Sequence, residues 1–98
     1  MGYRVVITPR AIKDLKVIVR YIAKDNPQVA KRLGDELVNS TLMLSPNPEL
    51  GRVVPETGTI SIRERIHHSY RIVYRVVHAQ KLIQVLRFWH ASRGTPQF

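Results

Sequence analysis

Residues 70–76 read Tyr-Arg-Ile-Val-Tyr-Arg-Val. β-Branched and aromatic side chains dominate, which predicts a strand. Alternation places Tyr70, Ile72, Tyr74 and Val76 on one side, and Arg71, Val73, Arg75 and Val77 on the other. The first side needs a covering layer. The second raises the question of why a strand in a 98-residue chain should carry two cations on one face.

Outward from this stretch, 60–66 and 82–89 also read as strands, and with 70–78 they make three. The connections His67-His68-Ser69 and Ala79-Gln80-Lys81 are short, which predicts a meander of antiparallel hairpins. Further upstream, Ile12, Leu15, Ile18, Val19 and Ile22 recur at helical spacing, behind Thr8 as a cap and Pro9 as a first helical residue. This first helix is expected to run to about residue 25. A second helix begins after Asn26-Pro27, with Ala30, Leu33, Leu37, Thr41 and Leu44 on one stripe. Residues 3–7 form an opening strand, and 45–59, with three prolines and two glycines, form a loop. The predicted order is β-α-α-β-β-β in one α+β domain, residues 1–98, with a helical hairpin packed on a mostly antiparallel sheet.

Charge is the informative part of the composition. The formal net charge is +9, with eleven arginines against five lysines. All seven carboxylate side chains fall in residues 1–64, and residues 65–98 hold six Lys/Arg, no acid and all four histidines. Arginine grips phosphates and carboxylates through a planar fork. An anionic partner is expected, either nucleic acid or an acidic protein. The absence of cysteine excludes thiol chemistry and fits a reducing compartment. No leader-like apolar segment opens the chain and no apolar run is long enough to cross a bilayer, so a cytoplasmic protein without membrane contact is expected.

No Gly-rich phosphate loop, Walker motif or nucleophile elbow is present. With helices on one face of the sheet, Arg63, Arg65, Arg71 and Arg75 are expected to converge on the other. Glu64 breaks the apolar side of its strand, and the sequence offers no reason for it. Arg87, His90 and Arg93 extend the cationic set. Clustered arginines stabilise charge in phosphoryl transfer, and a histidine can move the proton. The same cluster also fits an acidic protein segment with no chemistry at all. Trp89 can stack on a base or partner, or serve the core. His67 and His68, as adjacent strand residues, should point to opposite faces, and no third ligand lies near them in sequence. No metal site and no cofactor are expected.

Five segments together resemble the RelE/ParE superfamily of toxins from bacterial type II toxin–antitoxin systems, also called plasmid-stabilisation proteins. They are YRVVITPRAIKDLKVIVRYIAKDNP at 3–27, GRVVPE at 51–56, IRE at 62–64, YRIVYRV at 70–76 and WHASRG at 89–94. The resemblance implies a basic toxin neutralised by an acidic or amphipathic antitoxin segment. RelE-like members are ribosome-dependent mRNA endonucleases (mRNA interferases), whereas ParE-like members inhibit DNA gyrase. The phosphate-binding arginine of the nucleases falls at Arg71, a terminal acid or base near His90, and a loop glutamate at Glu56. Arg87 would join Arg71 on the scissile phosphate. RelE has lysines where this chain has about Ile62 and Glu64, and no tyrosine follows Tyr74 here. The ending WH-xx-R is similar to the ParE side. The resemblance therefore leans to gyrase inhibition, with Arg63, Arg65, Arg71, Arg75, Trp89, His90 and Arg93 as the binding set. The alternatives are a metal-independent endoribonuclease acting on ribosome-bound mRNA, and an inactive relative that only binds its antitoxin.

Overall fold

Thr8 and Asn26 decide where the two helices begin. In the computed structural model, which describes residues 2–97, strand β1 (Arg4–Ile7) ends at Thr8 and helix α1 (Pro9–Ala23) starts. The Thr8 hydroxyl accepts a hydrogen bond from the Ala11 amide and donates one to the Val85 carbonyl at 2.8 Å. One residue thus caps the helix and ties it to the sheet. Asn26 caps α2 (Pro27–Leu42) by accepting from the Val29 amide at 3.1 Å. Both helices open on proline, whose missing N–H has no partner to lose at that position.

Four further strands follow: β2 (Arg52–Val53), β3 (Ile62–His67), β4 (Tyr70–Val77) and β5 (Leu82–His90). The sheet order is β1-β5-β4-β3-β2, antiparallel except for the β1–β5 pair. The order read from the sequence holds, and the 45–59 loop contributes the additional short strand β2. Helix α1 ends two residues short of the expected 25. Strand β3 starts at 62 rather than 60, because the Ile62 amide donates to the Thr59 carbonyl in a turn that leaves Ile60 exposed.

The face assignment needs correction. The turn at His68–Ser69 has two residues, so His67 pairs with Tyr70 and each odd-numbered residue of β3 faces an even-numbered residue of β4. Arg63 therefore pairs with Tyr74 and Arg65 with Ile72, on the helix side of the sheet. Glu64 pairs with Val73 and Ile66 with Arg71, on the opposite side. The four arginines expected to converge are split two and two. A register change of one residue moves every side chain of a strand to the other face.

Strand β5, ambiguous by alternation, contains a bulge. Val73 pairs with Arg87 but Tyr74 pairs with Val85, which leaves Leu86 as the extra residue. The bulge lets Ile83, Val85 and Phe88 all serve the helix-side core. That core joins Ala11 and Leu37 of the helices to Ile72, Val85 and Phe88, and continues through Leu44, Tyr74, Val76 and Ile83. The opposite face is not open: Val54 from the long loop packs on Ile62, Val73 and Leu86. Among the described residues, no helix is long and apolar enough to cross a membrane.

Leu37 is fully buried where α2 meets the sheet. Leu37→Ala is expected to lower stability by about 3 kcal/mol, measured as a shift in the urea midpoint with an unchanged slope.

Candidate functional site

Two arrangements of charged side chains stand out, one under the long loop and one beside helix α1. The first surrounds Arg71, which is only 9% exposed. Its Nη1 and Nη2 donate to the two oxygens of Glu56 at 2.9 and 2.7 Å, a bidentate fork. Its Nε donates to Oε1 of Glu64. The other oxygen of Glu64 accepts from Arg52 Nε at 2.7 Å. Arg52, Glu64, Arg71 and Glu56 form a chain of alternating sign, centred on a glutamate that is 1% exposed. The Arg71 guanidinium holds the Glu56 carboxyl down to about 2 from its ordinary 4.5. The same carboxylates raise the Arg71 guanidinium above its usual value.

Tyr74 holds the loop that supplies Arg52 and Glu56. Its buried hydroxyl accepts from the Gly51 amide at 2.9 Å and donates to the Pro48 carbonyl at 2.8 Å. Gly51 is required there by close packing: a Cβ would lie 2.3 Å from the Glu64 carbonyl oxygen and 2.7 Å from the Tyr74 hydroxyl. Burial raises the Tyr74 phenol above its usual value.

The second arrangement lies beside α1 at the edge of the sheet, where Arg87 and Trp89 belong to the Arg71 face and His90 to the helix face. A cleft of about 1050 Å³ runs between α1 and the end of β5, lined by Arg10, Lys13, Val17, Tyr21, His90 and Arg93 among others. Arg87 borders it, but its guanidinium is committed to Asp14 through bonds of 2.7 and 3.0 Å and to the Gln97 carbonyl. Asp14 also accepts from the Phe88 amide at 3.1 Å, beyond the point where β1 stops covering that edge of β5. Trp89 is 3% exposed, with its indole N–H donated to the Gly94 carbonyl at 3.1 Å. The Arg93 guanidinium stacks on the Trp89 ring, 3.9 Å from its centroid. Trp89 therefore packs within the fold and serves as a platform for Arg93.

His90 lies at the head of the 3₁₀ turn Ala91–Arg93. The Ser92 amide can only donate, so Nδ1 of His90 accepts its bond at 3.1 Å. The neutral ring consequently carries its proton on Nε2. The ring also meets Tyr70 edge to face, with centroids 5.1 Å apart.

The structure thus separates residues that the sequence grouped. Arg71 pairs with Trp89 across the sheet and His90 pairs with Tyr70, so Arg71 and His90 project from opposite faces. Glu56 joins Arg71 and not His90. Arg63 donates to the Gly51 carbonyl at 2.8 Å, Arg65 approaches Met43, and Arg75 is exposed on the Arg71 face. Sequence reasoning missed Glu64 and Asp14 as arginine partners; for Glu64, the signal was its break in the apolar alternation. The expectation that His67 and His68 point to opposite faces fails: their rings meet with centroids 4.5 Å apart. Glu36 of α2 reaches both, at 3.1 Å and 3.7 Å from their Nε2 atoms.

Glu64→Ala removes the carboxylate between two guanidinium groups and is expected to cost about 3–5 kcal/mol in urea unfolding. Glu56 gives a pH signature. Its folded value of about 2 lies below its ordinary 4.5, so its contribution is complete above about pH 4.5 and is lost as pH falls towards 2. The stability difference between the natural chain and Glu56→Gln should be constant near neutrality and shrink over that window, read from thermal midpoints.

Residues 5–94 match the family described as the ParE toxin of type II toxin–antitoxin systems, parDE. Toxin RelE2 of Caulobacter vibrioides is 35% identical over 91 residues, covering 92% of this chain and 97% of that protein. Toxin RelE1 of the same organism is 32% identical, covering 92% and 95%. The fold is shared with the chromosomal ParDE system of P. aeruginosa, at a TM-score of 0.73 and 22% identity over 90% of this chain and 95% of that one. It is also shared with the RelBE2 toxin–antitoxin complex of Mycobacterium tuberculosis, at 0.63 and 22% over 92% and 99%. On the length and identity of these matches, the chain belongs to the ParE/RelE family of toxins from type II toxin–antitoxin systems.

Proposed function

We propose that this toxin acts without hydrolysis, by inhibiting DNA gyrase through the surface around His90 and Arg93. The observation that carries the reading is the state of Arg71. As a phosphate ligand it would need a free guanidinium, yet all three of its donor nitrogens are already engaged by Glu56 and Glu64. Releasing it breaks charge-assisted bonds around a buried carboxylate, which is costly. Glu56, held near 2, is too weak a base to take a proton at neutral pH and carries none to give. Arg87 is equally engaged, by Asp14. The candidates for a nuclease centre are thus neutralised or, in the case of His90, on the other face.

The C-terminal cleft offers what a protein-binding toxin needs. Arg10, Lys13 and Arg93 are exposed cations beside exposed Val17 and Tyr21. Arginine beside tyrosine is a composition enriched in binding hot spots. The antitoxin partner fits the same chemistry: an amphipathic segment with carboxylates would cover the apolar strip of α1 and neutralise its rim. A second reading, cleavage of ribosome-bound mRNA, is favoured by the names of the two Caulobacter relatives, and it requires Glu56 to release Arg71.

The test is a supercoiling assay with purified gyrase, paired with mapping of transcript 5′ ends after brief expression. Blocked supercoiling with intact transcripts is expected. Arg93→Ala should raise the inhibitory concentration about tenfold, equivalent to about 1.4 kcal/mol. Cuts at fixed codon positions with normal supercoiling would overturn the reading in favour of the endonuclease. Neither effect, with normal growth, would leave a relative that only binds its antitoxin.

A further inference from the structure

Helix α2 meets the β3–β4 turn at a cluster that the toxin's proposed action does not use. His67 ends β3 and His68 opens the two-residue turn. His68 has φ +52°, a left-handed conformation uncommon for a residue with a side chain. With this backbone, the two neighbouring imidazoles meet rather than diverge: their rings lie edge to face with centroids 4.5 Å apart. Glu36 approaches from α2 so that its Oε1 is 3.1 Å from His67 Nε2 and 3.7 Å from His68 Nε2. One ligand atom from each of the three residues lies within 4.8 Å of the others.

We propose that Glu36, His67 and His68 form a binding site for a divalent transition-metal ion of zinc's class. Two imidazole nitrogens and one carboxylate oxygen are a donor set that zinc accepts. A tetrahedral zinc with ligand bonds of about 2.0–2.1 Å holds its ligand atoms about 3.3 Å apart. Two of the three separations, 3.1 and 3.7 Å from the carboxylate oxygen, bracket that value, and the third lies within 4.8 Å, so side-chain rotation about the existing cluster closes the set. The three side chains are neither sealed nor fully exposed, at 40% for Glu36, 26% for His67 and 68% for His68. An ion can enter, and a water can take the fourth position. The shallow groove beside the cluster is lined by Ser69, Tyr70, Arg32 and His90.

Arg32 sets a limit: its positive charge near a site with a single carboxylate puts the expected affinity in the micromolar range rather than the nanomolar. The ion would cross-link α2 to the hairpin turn, joining elements far apart in sequence. It would hold the end of the hairpin that carries Tyr70 and, across the sheet, His90. The site is independent of the gyrase reading and survives its failure.

The test is calorimetric titration of zinc chloride into the full-length chain, free of any histidine tag and stripped with a chelator. One zinc per chain at micromolar affinity is expected, with a higher melting temperature that the chelator reverses. His68→Gln, on an exposed turn, should retain the native circular dichroism and weaken binding about tenfold or more. His67→Gln with His68→Gln should abolish it, and His78→Gln should leave it unchanged. Cobalt(II) should give visible d–d bands in the natural chain that disappear in the double variant. Absence of saturable binding at micromolar zinc would overturn the proposal and leave a hydrogen-bonded His–Glu cluster. Binding that persists in the double variant would overturn it equally.

Discussion

A turn of two residues pairs the residue before it with the residue after it, three positions on. This constraint at His68–Ser69 governs most of what is distinctive in the molecule. It matches odd positions of β3 to even positions of β4, and so sends Glu64 to the face that carries Arg71. It also sends Arg63, Arg65 and His67 towards the helices. A turn one residue longer would bring the arginines of both strands together and leave Glu64 among the apolar residues of the core. The sheet is therefore not a cationic plate. Its far face holds a neutralised ion chain, and its helix face is rimmed by cations that contact α2 and the loop.

The ion chain is a costly structure in terms of desolvation, and it stands only because each member has a partner of opposite sign. Glu64 is enclosed but accepts from two arginines; Arg71 is nearly enclosed but donates to two carboxylates. Removing either partner strands a charge, whereas moving the whole set to solvent would demand that Tyr74 release the loop. The Tyr74 hydroxyl, bound at both ends to the loop backbone, makes that release a cooperative event rather than a side-chain rotation. The loop of three prolines is thus a structural strap as well as a connection. It covers Val73 through Val54 and delivers Glu56 to Arg71.

Asp14 performs the corresponding task at the other end of the sheet. It takes up the Arg87 fork and caps the Phe88 amide that β1 leaves uncovered, so α1 is fastened to β5 by charge as well as by packing. With Arg87 engaged, the cleft rim still offers Arg10, Lys13 and Arg93 to a partner, and Arg93 is oriented by the Trp89 ring beneath it. The charge asymmetry visible in the composition is real, but its accessible portion lies in a different place from where strand alternation alone would put it.

Local rules were sufficient for the elements. Thr8-Pro9 and Asn26-Pro27 mark helix starts because capping and the proline ring act within one turn of chain. The strand runs and short connections follow from side-chain period and chain length in the same way. The fold order was legible for that reason, and the motifs spread along it were enough to suggest the family. What alternation could not supply was register: the bulge at Leu86 and the loop's return as β2 depend on which strand lies alongside. The site depended on it most. Glu56 and Arg71 are fifteen positions apart, Asp14 and Arg87 seventy-three, and Glu36 and His67 thirty-one. Their pairing is a property of packed layers. Sequence by itself determined that this chain is basic, capped and two-layered; only the tertiary structure decided which arginines are neutralised, because a charge is cancelled by what lies across space from it and not by what precedes it in the chain.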